Sequence, residues 1–402
     1  MSRLLHRLAA CAAAAALAVA GPLATGAHAD TPATANLATN PGFEIPRLPL
    51  DDWGSIPGWQ CTAGEATIGG TARSGSSALL VTPAAADSTG RCEQVLSVRP
   101  GTTYTVSAWV RGAYVFLGAE GTGHDVAPAW TPDTGGDWRP LTTTFTTGTA
   151  VTSVRLYLHG WYGQGAYAAD DVRVDGPAPA PARALWNVPT GDPVLFVTVD
   201  DGWQRTPEAA ALIAARKLPV TAFPLPMPLG FDPDWFRAVT AAPGSSIQDH
   251  SVSHRDLTTL GAEEQQAEIC GGRDAALRRT GTAPTVFRPP YLAWNADTLQ
   301  AAANCGMTTV MTATADFSWG ASNVYHGGPL RPGDVVLLHF TDTLASDLAR
   351  VLAAADEAGL RPAGLTEYLS CGAQRRGTAV PGRRVRGGTE RWSPRCTWHW
   401  SA

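Results

Sequence analysis

Two adjacent carboxylates, Asp200 and Asp201, stand between the β-prone run Leu195-Phe-Val-Thr-Val199 and Gly202. A buried strand delivering both to its carboxyl end puts them where open α/β sheets and barrels carry their chemistry. An Asp-Asp pair alone is more often a cap or a solvated turn, so the downstream chain decides. Asp249-His-Ser-Val-Ser-His254 carries two histidines four apart. They can face one side of a helical turn or wrap one ion from a loop, and neutral imidazole is a common zinc donor. With a strand-end carboxylate about fifty residues earlier they form a two-histidine, one-carboxylate set, which leaves positions on an ion open for water and substrate.

Two further segments carry chemistry. In Phe287-Arg-Pro-Pro-Tyr291 the Arg288 guanidinium can fork onto a carboxylate, holding and polarising it. The two prolines have no N–H and stiffen the turn, so the amide of Tyr291 is free to aim at a developing oxyanion. The apolar run Val335-Val-Leu-Leu ends in His339, placed for proton transfer. Taken singly, these would read as a turn and a satisfied core histidine.

The elements that must position these residues alternate. Strands are predicted at 195–199, 220–223, 246–248, 285–287, 308–311 and 335–338. Helices are predicted at 207–216, 233–241, around 262–279, 296–304 and 344–357. Repeated βα units imply a parallel sheet, open or closed into a barrel, over residues 191–370. Residues 30–176 read differently, as short β-rich runs (78–82, 103–110, 141–146, 151–158, 171–174) separated by turn clusters such as Arg99-Pro-Gly and Asp133-Thr-Gly-Gly. That pattern predicts an all-β jelly-roll sandwich. The proline-alternating stretch Pro177-Ala-Pro-Ala-Pro-Ala182 opens a stiff, extended linker placed at 177–190.

The ends have their own character. Arg3, His6 and Arg7, the Ala/Leu-rich run after them and Ala27-His-Ala29 read as a signal peptide over 1–29, so the mature protein is expected to be secreted. Leu8-Ala-Ala-Cys11 also resembles a lipidation site, but the apolar run mostly follows that cysteine. Beyond the leader six cysteines fall in sequence-local pairs, 61 with 92, 270 with 305 and 371 with 396, and an even count in an exported chain favours disulfides. Residues 371–402 form a tail with seven arginines and Trp392, Trp398 and Trp400, read as a disulfide-tied solvated segment or a basic contact to anionic wall polymer. The net charge of −5 gives no sign of nucleic-acid binding or an obligatory membrane surface. No later run reaches membrane-spanning length, and a monomer is expected.

Two resemblances follow from these motifs. Asn40-Pro-Gly-Phe-Glu44, Trp53, Trp59, Ser74-Gly-Ser-Ser-Ala-Leu-Leu80, Pro100 to Trp109 and Asp170-Asp-Val-Arg-Val174 resemble carbohydrate-binding modules of the jelly-roll type. The resemblance implies a structural calcium at Glu44 and Asp171 and a sugar platform among Trp130, Trp138, Trp161, Tyr162 and Tyr167. The order Thr-Val-Asp-Asp-Gly, His-Ser-Val-Ser-His, Arg-Pro-Pro-Tyr, Leu-Leu-His resembles polysaccharide deacetylases of the NodB-homology type, carbohydrate esterase family 4.

That second resemblance implies a distorted (β/α) barrel and a divalent metal, most often zinc, on Asp201, His250 and His254. It makes Asp200 the general base, oriented by Arg288, and His339 the acid. It assigns the Tyr291 amide to the oxyanion, Leu337 to the acetyl-methyl pocket and Trp319 to the groove wall. One departure stands out. Where the family has Asp-x-x-Asp-Trp, this chain reads Thr314-Ala-Asp-Phe-Ser-Trp319, so Ser318 replaces the aspartate that orients the acid histidine. Asp316 is within two residues as a substitute, or no charge orients His339 and the high-pH limb of activity falls at lower pH than in relatives. The expected activity is removal of N-acetyl groups from chitin or peptidoglycan. The alternatives are an acetylxylan-type O-acetyl esterase with the same site and, in another class, a non-catalytic carbohydrate-binding protein.

Overall fold

The computed structural model describes residues 34–46 and 56–374. The expected leader, the lipidation motif, the Cys371–Cys396 pairing and the arginine–tryptophan tail lie outside the described residues.

The amino-terminal half is a two-sheet sandwich. One sheet orders its strands as Gly64–Gly69, Ala78–Pro83, Tyr167–Pro177, Thr103–Arg111 and Arg139–Thr146, with Thr34–Asn36 on the long Tyr167–Pro177 strand. The other runs Gln60–Thr62, Arg91–Ser97, Ser153–His159, Val115–Glu120 and Ala129–Thr131. Alternation creates the core: Tyr104, Val106, Ala108 and Val110 point inward from one strand, and Cys92 and Leu96 from a facing one. Each large apolar side chain buried there contributes about 1.5–3 kcal/mol. Cys61 and Cys92 are cross-strand partners and form a disulfide.

The second half is a (β/α) barrel distorted at two places. The strand Val194–Asp201, buried along nearly its whole length, pairs in parallel with Val220–Pro224 on one side and Val335–His339 on the other. Its continuous apolar run is what two covered faces demand. Val220–Pro224 continues to Ser246–Ile247, and a bridge between Asp249 and Phe287 carries the wall on to Val286–Phe287 and Thr309–Met311. The stretch 309–316 then bends, and its second half, Ala315–Asp316, pairs with Val335–His339 to close the ring.

At the other distortion the expected linker ends early. Arg183–Leu185 adds to Thr309–Met311, and Asn187 bridges Asp334, so residues 183–187 belong to the barrel wall. The crossing at 178–182 is fastened as well: Gln300 donates to the Pro179 carbonyl (3.1 Å) and the Ala182 amide to that of Leu299 (3.0 Å). The described residues form one compact unit. No helix among the described residues is long and apolar enough to cross a membrane.

Candidate active site

The strand ends converge the chemistry. In the register between Val194–Asp201 and Val335–His339, Asp200 stands directly opposite His339, and Thr198 opposite Leu337. Strand alternation therefore puts these four side chains on the barrel's interior side. Asp201, the last strand residue, turns the backbone into the left-handed region (φ 74°). Gly202 follows at φ 98°, where a Cβ would lie 2.7 Å from the Phe236 ring, so no larger residue fits the turn.

Arg288 is fully buried and every one of its donor nitrogens is bonded. Nη1 donates to Thr198 Oγ1 (2.6 Å) and Asp200 Oδ1 (3.0 Å), Nε to the Met311 carbonyl (3.3 Å) and Nη2 to that of Thr312 (2.9 Å). The guanidinium carbon lies 4.5 Å from the centre of the Phe223 ring. This fixes the rotamer of Asp200, itself buried, and compensates its charge.

His250 donates Nδ1–H to the Arg288 carbonyl at 2.7 Å, which leaves the Nε2 lone pair free. That nitrogen lies 3.5 Å from Asp201 Oδ1, and His254 Nε2 lies 3.5 Å from the same oxygen. The separations are long for hydrogen bonds. They match donors sharing one tetrahedral ion, which stand about 3.4 Å apart when each is about 2.0–2.1 Å from it. Asp201 Oδ1 is shielded from solvent and has no hydrogen-bond partner. A buried acceptor facing two imidazole nitrogens is the donor set of a divalent cation, and among the described residues it is the one group of three such side chains close enough to hold one. Burial pushes the Asp201 carboxyl up, but the two imidazoles hold it below the ordinary carboxylate value. Burial also opposes charge on His250, and the Asp200 and Asp201 carboxylates outweigh it, raising that imidazole; burial and the neighbouring His250 lower His254.

Across the barrel mouth, His339 Nδ1 meets the Ser318 hydroxyl at 2.8 Å, and its ring stacks on Trp319 with centroids 4.4 Å apart. Asp316 does not serve as the substitute partner: its Oδ1 accepts the Ser318 amide at 2.9 Å. A neutral hydroxyl and an indole face thus stand where the sequence resemblance implies a carboxylate. Asp347, fully buried and invisible to motif reading, accepts the amides of Trp319 (3.0 Å) and Gly320 (3.1 Å) and fixes the turn that carries both residues. Trp319 is exposed and Leu337 is buried in the strand below His339. Tyr291 sits at φ 59° after the two prolines, its exposed ring packed edge-on against His254 at 4.9 Å.

Glu44 and Asp171, the expected calcium pair, both lie against residues 73–77. Glu44 accepts the amides of Ser76 (2.8 Å) and Ser77 (3.0 Å) and the Ser76 hydroxyl (2.6 Å). Asp171 takes Arg73 (3.0 Å) and the Ser74 hydroxyl (2.6 Å). Both carboxylates fasten the 73–77 turn. Among the expected platform residues, Tyr167 is fully buried, with its hydroxyl on the Gly90 carbonyl at 2.7 Å, so it belongs to the core. Trp130 and Trp161 instead join Phe116, His159, Tyr157 and Tyr114 in a row of stacked rings on the outer face of the second sheet, with Tyr162 at its edge. Their strand neighbours Val115, Leu117 and Leu158 point into the core, which is why these rings point out.

Comparison with known proteins finds relatives of both halves of the chain. A family model described as polysaccharide deacetylase matches residues 187–310, and one described as carbohydrate binding domain matches 35–168. The chain is 47% identical over 178 residues to exochitinase 1 of Streptomyces olivaceoviridis, covering 43% of this chain but only 28% of that enzyme. It is 37% identical over 190 residues to an uncharacterized protein of Streptomyces coelicolor (46% of this chain, 76% of that one). To a chitooligosaccharide deacetylase of Rhizobium leguminosarum bv. trifolii it is 30% identical over 152 residues, 36% of this chain and 70% of that protein. The chain belongs to the polysaccharide deacetylase family of the NodB-homology type, carbohydrate esterase family 4, and carries a carbohydrate-binding domain ahead of the barrel.

Proposed function

We propose that this chain is a secreted, metal-dependent deacetylase that hydrolyses N-acetyl groups of a GlcNAc-containing polysaccharide of the chitin or peptidoglycan class. The observation that carries the reading is Asp201 Oδ1, buried and without a hydrogen-bond partner between two imidazole nitrogens, beside a second carboxylate locked by Arg288. Asp201, His250 and His254 would hold the metal, with zinc the best match to the donors. A bound divalent cation supplies Lewis acidity there, polarising an acetyl carbonyl and acidifying a water.

The chain's own residues do the remaining work. Asp200 accepts the water's proton, and Arg288 keeps it aimed. The Tyr291 amide donates to the oxygen on which negative charge develops. His339, protonated, gives its proton to the departing amine, so that water and acetamide become acetate and a free amine. Leu337 offers an apolar seat for the acetyl methyl, and Trp319 presents a face for the sugar ring. The amino-terminal leader supports secretion, and the names of the exochitinase and chitooligosaccharide deacetylase relatives support a chitin-type glycan.

The outer aromatic row of the sandwich is the glycan-binding face in this reading, since flat rings stack on the apolar faces of pyranoses. Equal retention of wild type and a Trp130→Ala, Trp161→Ala double variant on insoluble chitin would count against it. The activity is tested by acetate release from chitin oligomers, peptidoglycan and acetylated xylan. The reading expects release from the first two; release from xylan alone would replace it with O-acetyl esterase chemistry.

A further inference from the structure

Glu268 lies mid-way along the helix Ala262–Thr280 and is fully buried. Its Oε2 accepts the amides of Val252 (3.0 Å) and Ser253 (2.8 Å), and its Oε1 takes the Ser253 hydroxyl. These two residues lie inside the loop between His250 and His254. The loop needs holding, because Ser251 (φ 66°) and His254 (φ 55°) both adopt the left-handed conformation that side-chain-bearing residues resist. One turn further, Gly272 lets the helix backbone close on the same loop: a Cβ there would lie 2.0 Å from Asp249 Oδ1 and 3.0 Å from the Ser251 carbonyl.

The helix is itself braced, largely by the sandwich. Gln266 donates to Thr39 Oγ1 (2.8 Å) and the Leu37 carbonyl (3.3 Å) and accepts from Asn304 (2.7 Å). The Cys270–Cys305 disulfide ties it to the end of the helix Ala296–Asn304. Arg273 donates to the carbonyls of Cys305 (3.0 Å) and, from the sandwich, Val95 (3.4 Å).

We propose that Glu268 is a positioning residue for metal ligation: through it the braced helix acts as the template that holds the strained loop, and so His250 and His254, in ligating geometry. A carboxylate suits the task because its two oxygens accept three donors at once. A glutamine there keeps only one acceptor oxygen and replaces the charge-assisted bonds to the loop with weaker neutral ones. The proposal rests on the reading of Asp201, His250 and His254 as a metal site.

The test uses full-length wild type, Glu268→Gln and Ser253→Ala, each stripped with chelator, titrated calorimetrically with Zn²⁺, and loaded with Co²⁺ for visible absorption. The expected result is a zinc affinity about 10–100-fold weaker in Glu268→Gln, with a shifted cobalt spectrum and a wild-type far-UV circular dichroism spectrum. Ser253→Ala, which deletes one of the three bonds, is expected to weaken zinc several-fold and decides the matter if Glu268→Gln does not fold. Wild-type affinity and an unshifted cobalt spectrum in the folded variants would overturn the proposal. Wild type that binds no zinc, or binds it equally after Asp201→Ala, would instead overturn the metal-site reading beneath it.

Discussion

Removing the Ser318 hydroxyl isolates what replaces the family's carboxylate. When His339 carries its proton, Nδ1–H donates to Ser318 Oγ across 2.8 Å, and the ring lies on the Trp319 face. A hydrogen bond involving a charged group contributes roughly 1.5–3 kcal/mol and a neutral one about 1 kcal/mol. The difference, about 0.5–2 kcal/mol, is what Ser318→Ala withdraws from the protonated form. The Trp319 stack, about 0.5–1 kcal/mol for an exposed cation on an aromatic face, remains. At about 1.4 kcal/mol per pH unit, Ser318→Ala is expected to move the high-pH limb of kcat/KM down by roughly 0.4–1.5 units. Ser318→Asp puts a negative charge beside the imidazolium and is expected to move the limb up by about one unit. The assay is acetate release from a soluble chitin oligomer across the pH range, with KM followed separately. A limb that stays put in both variants, or moves the same way in both, would refute the assignment of His339 as an acid steadied by Ser318.

Three further outcomes follow from buried or bonded groups. Arg288→Met leaves Asp200 as an uncompensated buried charge, so urea denaturation should show a loss of about 3–5 kcal/mol together with loss of activity; an unchanged midpoint would contradict this. Gln266→Leu strands polar partners on both sides of the sandwich–barrel contact, costing about 1–3 kcal/mol, and thermal unfolding should remain one transition at lower temperature; no shift would mean that the contact is not formed. The Ser76 hydroxyl, outweighing a slight desolvation and joined by the Ser77 and Ser76 amides, holds the exposed Glu44 carboxyl below its usual 4.5. A carboxyl depressed in the folded state stabilises above its unfolded value and loses that contribution as pH falls through the folded one. Wild type should therefore exceed Glu44→Gln in stability at pH 7 and lose the advantage as pH falls below the usual carboxylate range, and a pH-independent difference would exclude the linkage.

Much of the barrel was legible because its signals are local. Pro207 at the first helical turn and Lys217 in a left-handed cap bound one helix where the sequence predicts it. The apolar run before Asp200 could only be a strand covered on both faces. Other features arise from pairing between distant segments, which periodicity does not carry. The bend in 309–316 and the use of 183–187 in the barrel wall answer a gap in the ring. Gln265, Gln266, Glu268, Arg273 and Asp274 are polar or charged yet buried, because the sandwich and the ligand loop cover them. At the site, residue types and spacing singled out Asp200, Asp201, His250, His254, Arg288 and His339, which the fold brings together, whereas the contacts of Ser318, Asp347 and Glu268 span 15 or more residues.

The central claim, metal-dependent deacetylation with Asp200 as base, is tested most directly by acetate release from chitin oligomers. Release is measured before chelation, after chelation and after zinc is restored, with Asp200→Asn run in parallel. Activity that disappears on chelation and returns with zinc, and an Asp200→Asn protein that binds zinc but releases no acetate, is the predicted result. Release indifferent to chelation, or an Asp200→Asn variant at full rate, would contradict it.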